Sequence, residues 1–381
     1  MRYRTLGKTG LRVSEVGFGA EWIGEMSPAT RREVMDVLND GGVNIVDCWM
    51  SDPDVRDALG QMIASNRDQW IVQAHIGSTW QDGQYVRTRE MDKVTPAFED
   101  ELRRLKSDSF ELGMIHYVDE VAEYHSIMEG EFLEYVLRLR DAGTIQHIGL
   151  STHNPEVGLL AAKSGIVEMI MFSINPAFDM LPASEDINTL FEESYDAGLS
   201  GIEKVRAELY ETCEREDVGI TVMKPYAGGR LLDAEKSPFG VALTPAQCIH
   251  YCLTRPAVAS VMAGVSNAQQ AAEALAYEDA TEDELDYASV LANAPAHSYA
   301  GQCTYCGHCQ PCVVGINIAM VNKFHDLAAS QDTVPESVRA HYLDMDATAR
   351  DCFACHGCES RCPFGVKIVD KMKAAVELFG A

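Results

Sequence analysis

The chain of 381 residues holds twelve cysteines, and eight of them fall into two tight groups. The first is Cys303-Thr-Tyr-Cys306-Gly-His-Cys309-Gln-Pro-Cys312; the second is Cys352-Phe-Ala-Cys355-His-Gly-Cys358-Glu-Ser-Arg-Cys362-Pro363. The second group has the spacing C-x2-C-x2-C-x3-C-P. Three thiolates that close together can cap three corners of a 4Fe–4S cubane, while the fourth points away toward another cluster. The first group closes with x2 instead of x3, and Pro311 precedes its last cysteine. Two zinc sites are the competing reading, since zinc takes four ligands, commonly as paired C-x2–4-C runs. The x2-x2 triple crowds three ligands onto one loop, which suits a cluster better. A disulfide framework fits less well, because nothing in the chain points to secretion. The groups also read as a repeat: Cys312-Val-Val-Gly315-Ile-Asn-Ile318 parallels Cys362-Pro-Phe-Gly365-Val-Lys-Ile368, and helix-like runs follow at 319–327 and 369–378. Cys48, Cys213, Cys248 and Cys252 read as buried apolar residues.

The rest of the chain must supply a scaffold. Residues 1–13 alternate apolar positions around Lys8-Thr-Gly10 and predict a hairpin. Short apolar runs then alternate with amphipathic stretches, at 15–20, 43–47, 70–75, 112–116, 145–151, 167–173, 219–223 and 259–264. Between them Ser27-Pro28, Asp52-Pro53, Asn154-Pro155 and Thr244-Pro245 place a capping side chain before a proline at the first helical position. Thr244 with Gln247 makes a capping box. Eight strands alternating with helices predict a parallel sheet, and eight is the number that closes a (β/α)8 barrel. An open doubly wound sheet would want a glycine fingerprint, and Gly17-Phe-Gly19-Ala-Glu-Trp is not G-x-G-x-x-G. The connection after Ser173 runs for about thirty residues, as substrate loops at the C-terminal face of a barrel do.

Barrel chemistry sits at the C-terminal ends of strands. Asp47, His75, His116 and His153 end the second to fifth predicted strands. Glu21 follows the first, Asn175 the sixth and Lys224 the seventh. His75 and His116, at neighbouring strand ends, would face one cavity. Plainer roles compete: Asp52 before Pro53 is most simply a helix cap, Asp47 can fix the tautomer of His75, and Lys224 can sit in an ion pair.

Several stretches, in one order, resemble the aldo-keto reductase family. They are Arg4-Thr-Leu-Gly-Lys-Thr-Gly-Leu-Arg-Val-Ser14, Gly42-Val-Asn-Ile-Val-Asp47, Met114-Ile-His116, Ile148-Gly-Leu-Ser-Thr-His153 and Lys224-Pro-Tyr-Ala-Gly-Gly-Arg-Leu231. The resemblance covers nearly all of residues 1–275, and the tail resembles an iron–sulfur branch of that family. It implies an α/β fold, with a (β/α)8 TIM barrel at 1–279. A C-terminal helical, ferredoxin-like 4Fe–4S dicluster domain at 280–381 would follow. In the crossed pattern usual for such modules, Cys303, Cys306, Cys309 and Cys362 would hold one cluster. Cys352, Cys355, Cys358 and Cys312 would hold the other.

The resemblance further implies carbonyl reduction with NAD(P)H and a tetrad of Asp, Tyr, Lys and His. Asp47 matches the aspartate and His116 the histidine. Asp52 falls where the tyrosine belongs and His75 where the lysine belongs. Ser151 and Thr152 would meet the nicotinamide carboxamide. Gly228, Gly229, Gly264, Ser266, Asn267 and Gln270 would line the rest of the nucleotide. Ser266 stands where an arginine often holds a 2′-phosphate, and Met223 where an aromatic ring often stacks.

Three functions follow. The first is an oxidoreductase that reduces a small carbonyl or unsaturated metabolite, with His75 or His116 as acid and Asp47 assisting. The second is a metal-dependent enzyme built on Asp47, His75 and His116, with His153 or Asp52 as a further ligand. The third is a catalytically reduced binding or electron-transfer scaffold. A nicotinamide delivers two electrons together and a cluster takes one, so a flavoprotein or ferredoxin is the expected redox partner. The net charge of −27 disfavours nucleic acid and anionic membranes as partners. No run is apolar enough to span a bilayer, and the N-terminus lacks an apolar signal core, so the expected location is the cytoplasm.

Overall fold

Ser27, Asp52, Asn154 and Thr244 each cap a helix that begins at the following proline. Thr244 and Gln247 bond reciprocally, as the sequence predicts. The structure is a computed structural model that describes residues 1–329, 331 and 333–380. Its strands are β1 (Tyr3–Thr5), β2 (Arg12–Ser14), β3 (Val16–Gly19), β4 (Ile45–Cys48), β5 (Ile71–Ile76), β6 (Ser78–Gln81), β7 (Gln84–Arg87), β8 (Phe110–Ile115), β9 (Ile145–Thr152), β10 (Met169–Ser173), β11 (Gly219–Met223) and β12 (Val258–Gly264). The helices are α1 (Pro28–Asp40), α2 (Pro53–Ile63), α3 (Met91–Arg104), α4 (Val121–Met128), α5 (Glu131–Asp141), α6 (Pro155–Lys163), α7 (Lys204–Arg215), α8 (Pro245–Leu253), α9 (Ala268–Leu275), α10 (Tyr287–Ala292), α11 (Ile318–Ala329), α12 (Glu336–Leu343), α13 (Gly357–Arg361) and α14 (Ile368–Phe379).

The predicted barrel forms. Strands β10-β11-β12-β3-β4-β5-β8-β9 close on one another in that order, and all their pairings are parallel. Side chains alternate between the barrel interior and the helix layer. Ile45, Leu112, Met114, Met169, Met171, Ala259 and Met262 form an inner core, and Leu6 and Val13 of the β1–β2 hairpin close it at one end. Methionines fill this space against glycines: a Cβ on Gly149 would strike the sulfurs of Met114 and Met169. Moving toward the C-terminal ends, the interior turns polar. Ile45 gives way to Asp47, and Ile71 gives way to Gln73 and His75.

Besides the β1–β2 hairpin, a second pair of strands lies outside the barrel wall. After β5 the chain makes an antiparallel hairpin, β6–β7, with Trp80 opposite Tyr85. Asp82 and Gly83 at its tip have φ of 50° and 78°.

Beyond α9 and a 3-10 turn at Ala276–Asp279, the tail packs on the barrel. Tyr299 donates to the carbonyl of Pro176 at 2.5 Å, Arg255 to that of Thr304 at 2.5 Å, and Gln302 accepts from the amide of Ile202 at 2.7 Å. Under this seam Tyr210 and Tyr251 both donate to the buried carboxylate of Asp179. The predicted repeat appears as α11 and α14, which pack on each other after Cys312 and Cys362. Of the expected C-terminal segment 280–381, residues 330, 332 and 381 lie outside the described residues.

Candidate active site

Strand alternation brings Asp47, His75 and His116 to the same inner face, all buried. His75 Nε2 lies 2.8 Å from Asp47 Oδ1, and His75 Nδ1 lies 2.8 Å from His116 Nδ1. Gln73 Nε2 donates to the same Asp47 oxygen at 2.9 Å. The chain does not stop at His116. Its Nε2 lies 2.7 Å from the hydroxyl of Tyr85, carried on β7. Trp49 lies parallel to the His116 ring at 6.3 Å and meets the Tyr85 ring edge-on at 5.4 Å. Arg87 and Arg89, at the end of the hairpin, donate to the carbonyl of Tyr117, and Arg89 also to that of His116. Burial pushes the Tyr85 hydroxyl up to about 12. Burial, and then the neighbouring His75, Arg89, Arg87 and His153, push His116 well below the ordinary histidine value.

These residues open into a cavity of about 800 Å³ at the C-terminal end of the barrel. Ile187 and Phe191 from the long connection after β10 form part of its wall, where that loop was expected. Lys224 is the one lysine or arginine in the lining among the described residues, against the carboxylates of Glu21, Glu25, Asp47 and Glu273. Burial pushes Glu21 up against the pull of Lys224. His153 also faces the cavity, with Nδ1 held by Asp119 at 3.0 Å. Of the predicted nucleotide residues, Ser151, Gly228, Gly229, Gly264, Ser266 and Gln270 line this space.

Four expectations change. Asp52 caps α2, accepting from the amide of Asp54, and does not line the cavity. Thr152 is one residue out of phase with Ser151, so it points into the helix layer and donates to Asp119. Asn267 caps α9. The metal reading of Asp47, His75 and His116 gives way to a hydrogen-bonded chain, because both nitrogens of His75 are already engaged. Among the described residues no group of three or more His, Cys, Asp or Glu side chains is gathered to hold a single metal ion. Tyr85 was not anticipated. Its signal was present: Asp82-Gly83 between Thr79-Trp-Gln and Gln84-Tyr-Val is a hairpin sequence.

The sequence profile of the Aldo/keto reductase family matches residues 15–244, which span β3 to β11. The chain belongs to the aldo/keto reductase family. It is thereby an oxidoreductase. An oxidoreductase of Bacillus subtilis (strain 168), YqkF, is 27% identical over 311 residues, covering 75% of this chain and 94% of that protein. The aldo-keto reductase YhdN of the same organism is 26% identical over 167 residues, covering 41% and 48%. The holo form of aldo-keto reductase AKR11C1 from Bacillus halodurans shares the fold, with a TM-score of 0.58 at 21% identity, over 75% of this chain and 94% of that one.

The cysteine groups lie outside residues 15–244, which match the family profile. They line two small cavities. Cys303, Cys306, Cys309 and Cys362 border one, of about 20 Å³. Cys312, Cys352, Cys355 and Cys358 border the other, of about 40 Å³. Asn322 Nδ2 lies 3.4 Å from the Cys303 sulfur. Burial pushes Cys303 up to about 11 and Cys309 to about 12. The Cys306 thiol goes the other way: burial, the largest single influence, raises it, but the side-chain and backbone bonds from His308, the His308 charge and the Thr304 hydroxyl together hold it below the ordinary value.

Proposed function

We propose that this protein is a nicotinamide-dependent reductase of a small carbonyl or other unsaturated metabolite, with two 4Fe–4S clusters in its tail. The observation that carries the reductase reading is the hydrogen-bonded chain from Asp47 through His75 to His116, ending in the cavity. A buried carboxylate that orients a histidine, which in turn orients a second, is an arrangement for moving a proton. His75 and His116 then do the acid–base work, and the family's tyrosine and lysine positions at Asp52 and His75 no longer carry their usual roles.

The cavity suits a nicotinamide nucleotide in size. Gly229 has a φ of 88°, and a Cβ there would stand in open space, so the loop leaves room for a ligand. Ser151 would hold the carboxamide, and Gly228, Gly229, Gly264, Ser266 and Gln270 the remainder. When bound, the reduced nicotinamide supplies a hydride. Three carboxylates, Glu21, Glu25 and Glu273, against Lys224 alone disfavour a 2′-phosphate, so NADH is the preferred form.

The support for the clusters is that each tail cavity gathers four cysteines, three from one group and one from the other. Three thiolates crowded on one loop suit the corners of a cubane better than the paired ligand runs of zinc. Cluster binding offsets the cost of ionising the buried thiols. Val313, Phe353 and Cys355 are exposed beside the second cavity, where a flavoprotein or ferredoxin would exchange electrons. We place the barrel at 1–279 and the cluster segment at 280–381. No helix among the described residues is long and apolar enough to cross a membrane, and we place the protein in the cytoplasm.

The test uses the full chain purified without oxygen. About eight irons with matching sulfide per chain, and oxidation of NADH in the presence of an aldehyde or ketone panel, are expected. A chain that binds neither NADH nor NADPH is not a nicotinamide reductase. Zinc in place of iron would remove the clusters.

A further inference from the structure

Tyr85 is not on the barrel wall. It reaches the cavity from the β6–β7 hairpin, and its hydroxyl completes an unbroken row of hydrogen bonds: Tyr85 Oη to His116 Nε2 at 2.7 Å, His116 Nδ1 to His75 Nδ1 at 2.8 Å, and His75 Nε2 to Asp47 Oδ1 at 2.8 Å. We infer that Tyr85 is the catalytic residue that gives its proton to the substrate oxygen, and that His116, His75 and Asp47 form the wire that restores it. The inference rests on the reductase reading above.

The row has two polarities. In the unloaded state His75 donates from Nε2 to Asp47 and accepts at Nδ1 from His116, whose Nε2 accepts from Tyr85. Every proton then points away from the cavity. With one more proton on the row, His75 carries hydrogen on both nitrogens. His75 Nδ1 now donates to His116 Nδ1, His116 Nε2 donates to the Tyr85 oxygen, and the tyrosine hydroxyl is free to point at the substrate. The reduced nicotinamide gives the carbonyl carbon its electron pair and hydrogen. As the C=O π bond breaks, the Tyr85 proton passes to the substrate oxygen, the His116 Nε2 proton to Tyr85, and the His75 Nδ1 proton to His116. His75 keeps its Nε2 hydrogen against Asp47. One proton leaves the row, the product is an alcohol, and the row is back in its unloaded polarity. Run backward, the unloaded row takes the proton from an alcohol.

The surroundings fix the tyrosine for this task. Trp49 packs on both the Tyr85 and His116 rings, the Tyr85 ring also sits edge-on to that of His116, and the charges of Arg87 and Arg89 act on its hydroxyl against those of Tyr117 and Glu123. Asp47 accepts from Gln73 as well, which holds the carboxylate at the far end in place.

The test compares the wild-type protein with Y85F, H116A and the double variant, in carbonyl reduction with saturating NADH. Tyr85→Phe lowers kcat about 10²- to 10⁴-fold and leaves NADH binding, read by fluorescence titration, within about twofold. Because the two residues act in one row, the double variant is no slower than the slower single variant. The solvent isotope effect on kcat, with more than one proton in flight in the wild type, falls in H116A. Wild-type activity with an unimpaired Y85F overturns the inference and leaves the reductase reading standing. Independent, multiplying losses overturn the wire, and they do so even if one variant is partly unfolded, since that instability lowers its single variant and the double alike and cancels in the comparison. A wild type that reduces no carbonyl overturns both.

Discussion

At the scale of residues, His75 is the pivot, because each of its nitrogens already has a partner and its ring can only pass a proton on. Asp47→Asn removes the charge that favours hydrogen on His75 Nε2. It is expected to lower kcat by about 10²-fold or more with NADH binding retained, and a normal kcat would show that the carboxylate only packs. A second prediction concerns His250, which lies between the rings of Tyr277 and Tyr287 with its Nδ1 buried and unpartnered. Burial, and then Arg2 and Arg4, push its pKa from 6.5 down to about 4. A folded pKa below the unfolded one means stability that is whole above about pH 6.5 and is lost as pH falls toward 4, on the order of 3 kcal/mol at most. His250→Phe is expected to flatten the fall in urea midpoint between pH 7.5 and 5; equal falls in both proteins would rule His250 out. Asp47, His75 and His116 were legible in the sequence because strand ends in a barrel share a cavity. Thr152 could have been set aside by the same parity that keeps Ser151, and Asp52 by the proline after it. Tyr85 was invisible to a search for strand ends, since it belongs to a hairpin that the barrel rhythm does not require.

At the scale of elements, that hairpin lies outside the barrel wall, yet it holds one end of the site. Ser78 donates to the carbonyl of Trp49 and Ser51 to that of Thr79, so the hairpin is laced to the loop after β4. Gly83 has a φ of 78° and open space where a Cβ would go. Gly83→Val therefore meets backbone strain and no clash, costing about 1–2 kcal/mol locally. The expected result is a kcat loss out of proportion to any change in Tm, measured by steady-state rates beside thermal melts. A large Tm loss with unchanged kcat would mean that the hairpin supports the fold and not the site. The barrel strands were easy to foresee because each is an apolar run stopped by a capped helix. The hairpin breaks that rhythm, and its signal is a two-residue turn, Asp82-Gly83, weighed against an alternation that was already accounted for.

At the scale of the whole molecule, the sharpest prediction comes from the two tail cavities. Cys306→Ser and Cys358→Ser alter one cavity each. Each is expected to halve the iron and sulfide content and leave the other cluster intact. Loss of all iron from either variant would show that the two are filled together, and full iron retention that neither cysteine is a ligand. The charge balance and the cysteine spacings were legible at this scale. The seam was not, since pairing Tyr299 with Pro176 and Arg255 with Thr304 joins residues far apart in sequence that no spacing connects. One feature of the cavities also bears on how the molecule is made. Each takes its fourth cysteine from the other group, so neither has its full set until the chain has been synthesised past Cys312 and Cys358 for one and past Cys362 for the other. The last barrel strand ends at Gly264, long before that point. Chains fold from the N-terminus as they emerge, so the barrel strands are complete before either tail cavity has its full set of thiols, and the proposed clusters would enter a molecule whose barrel is already closed.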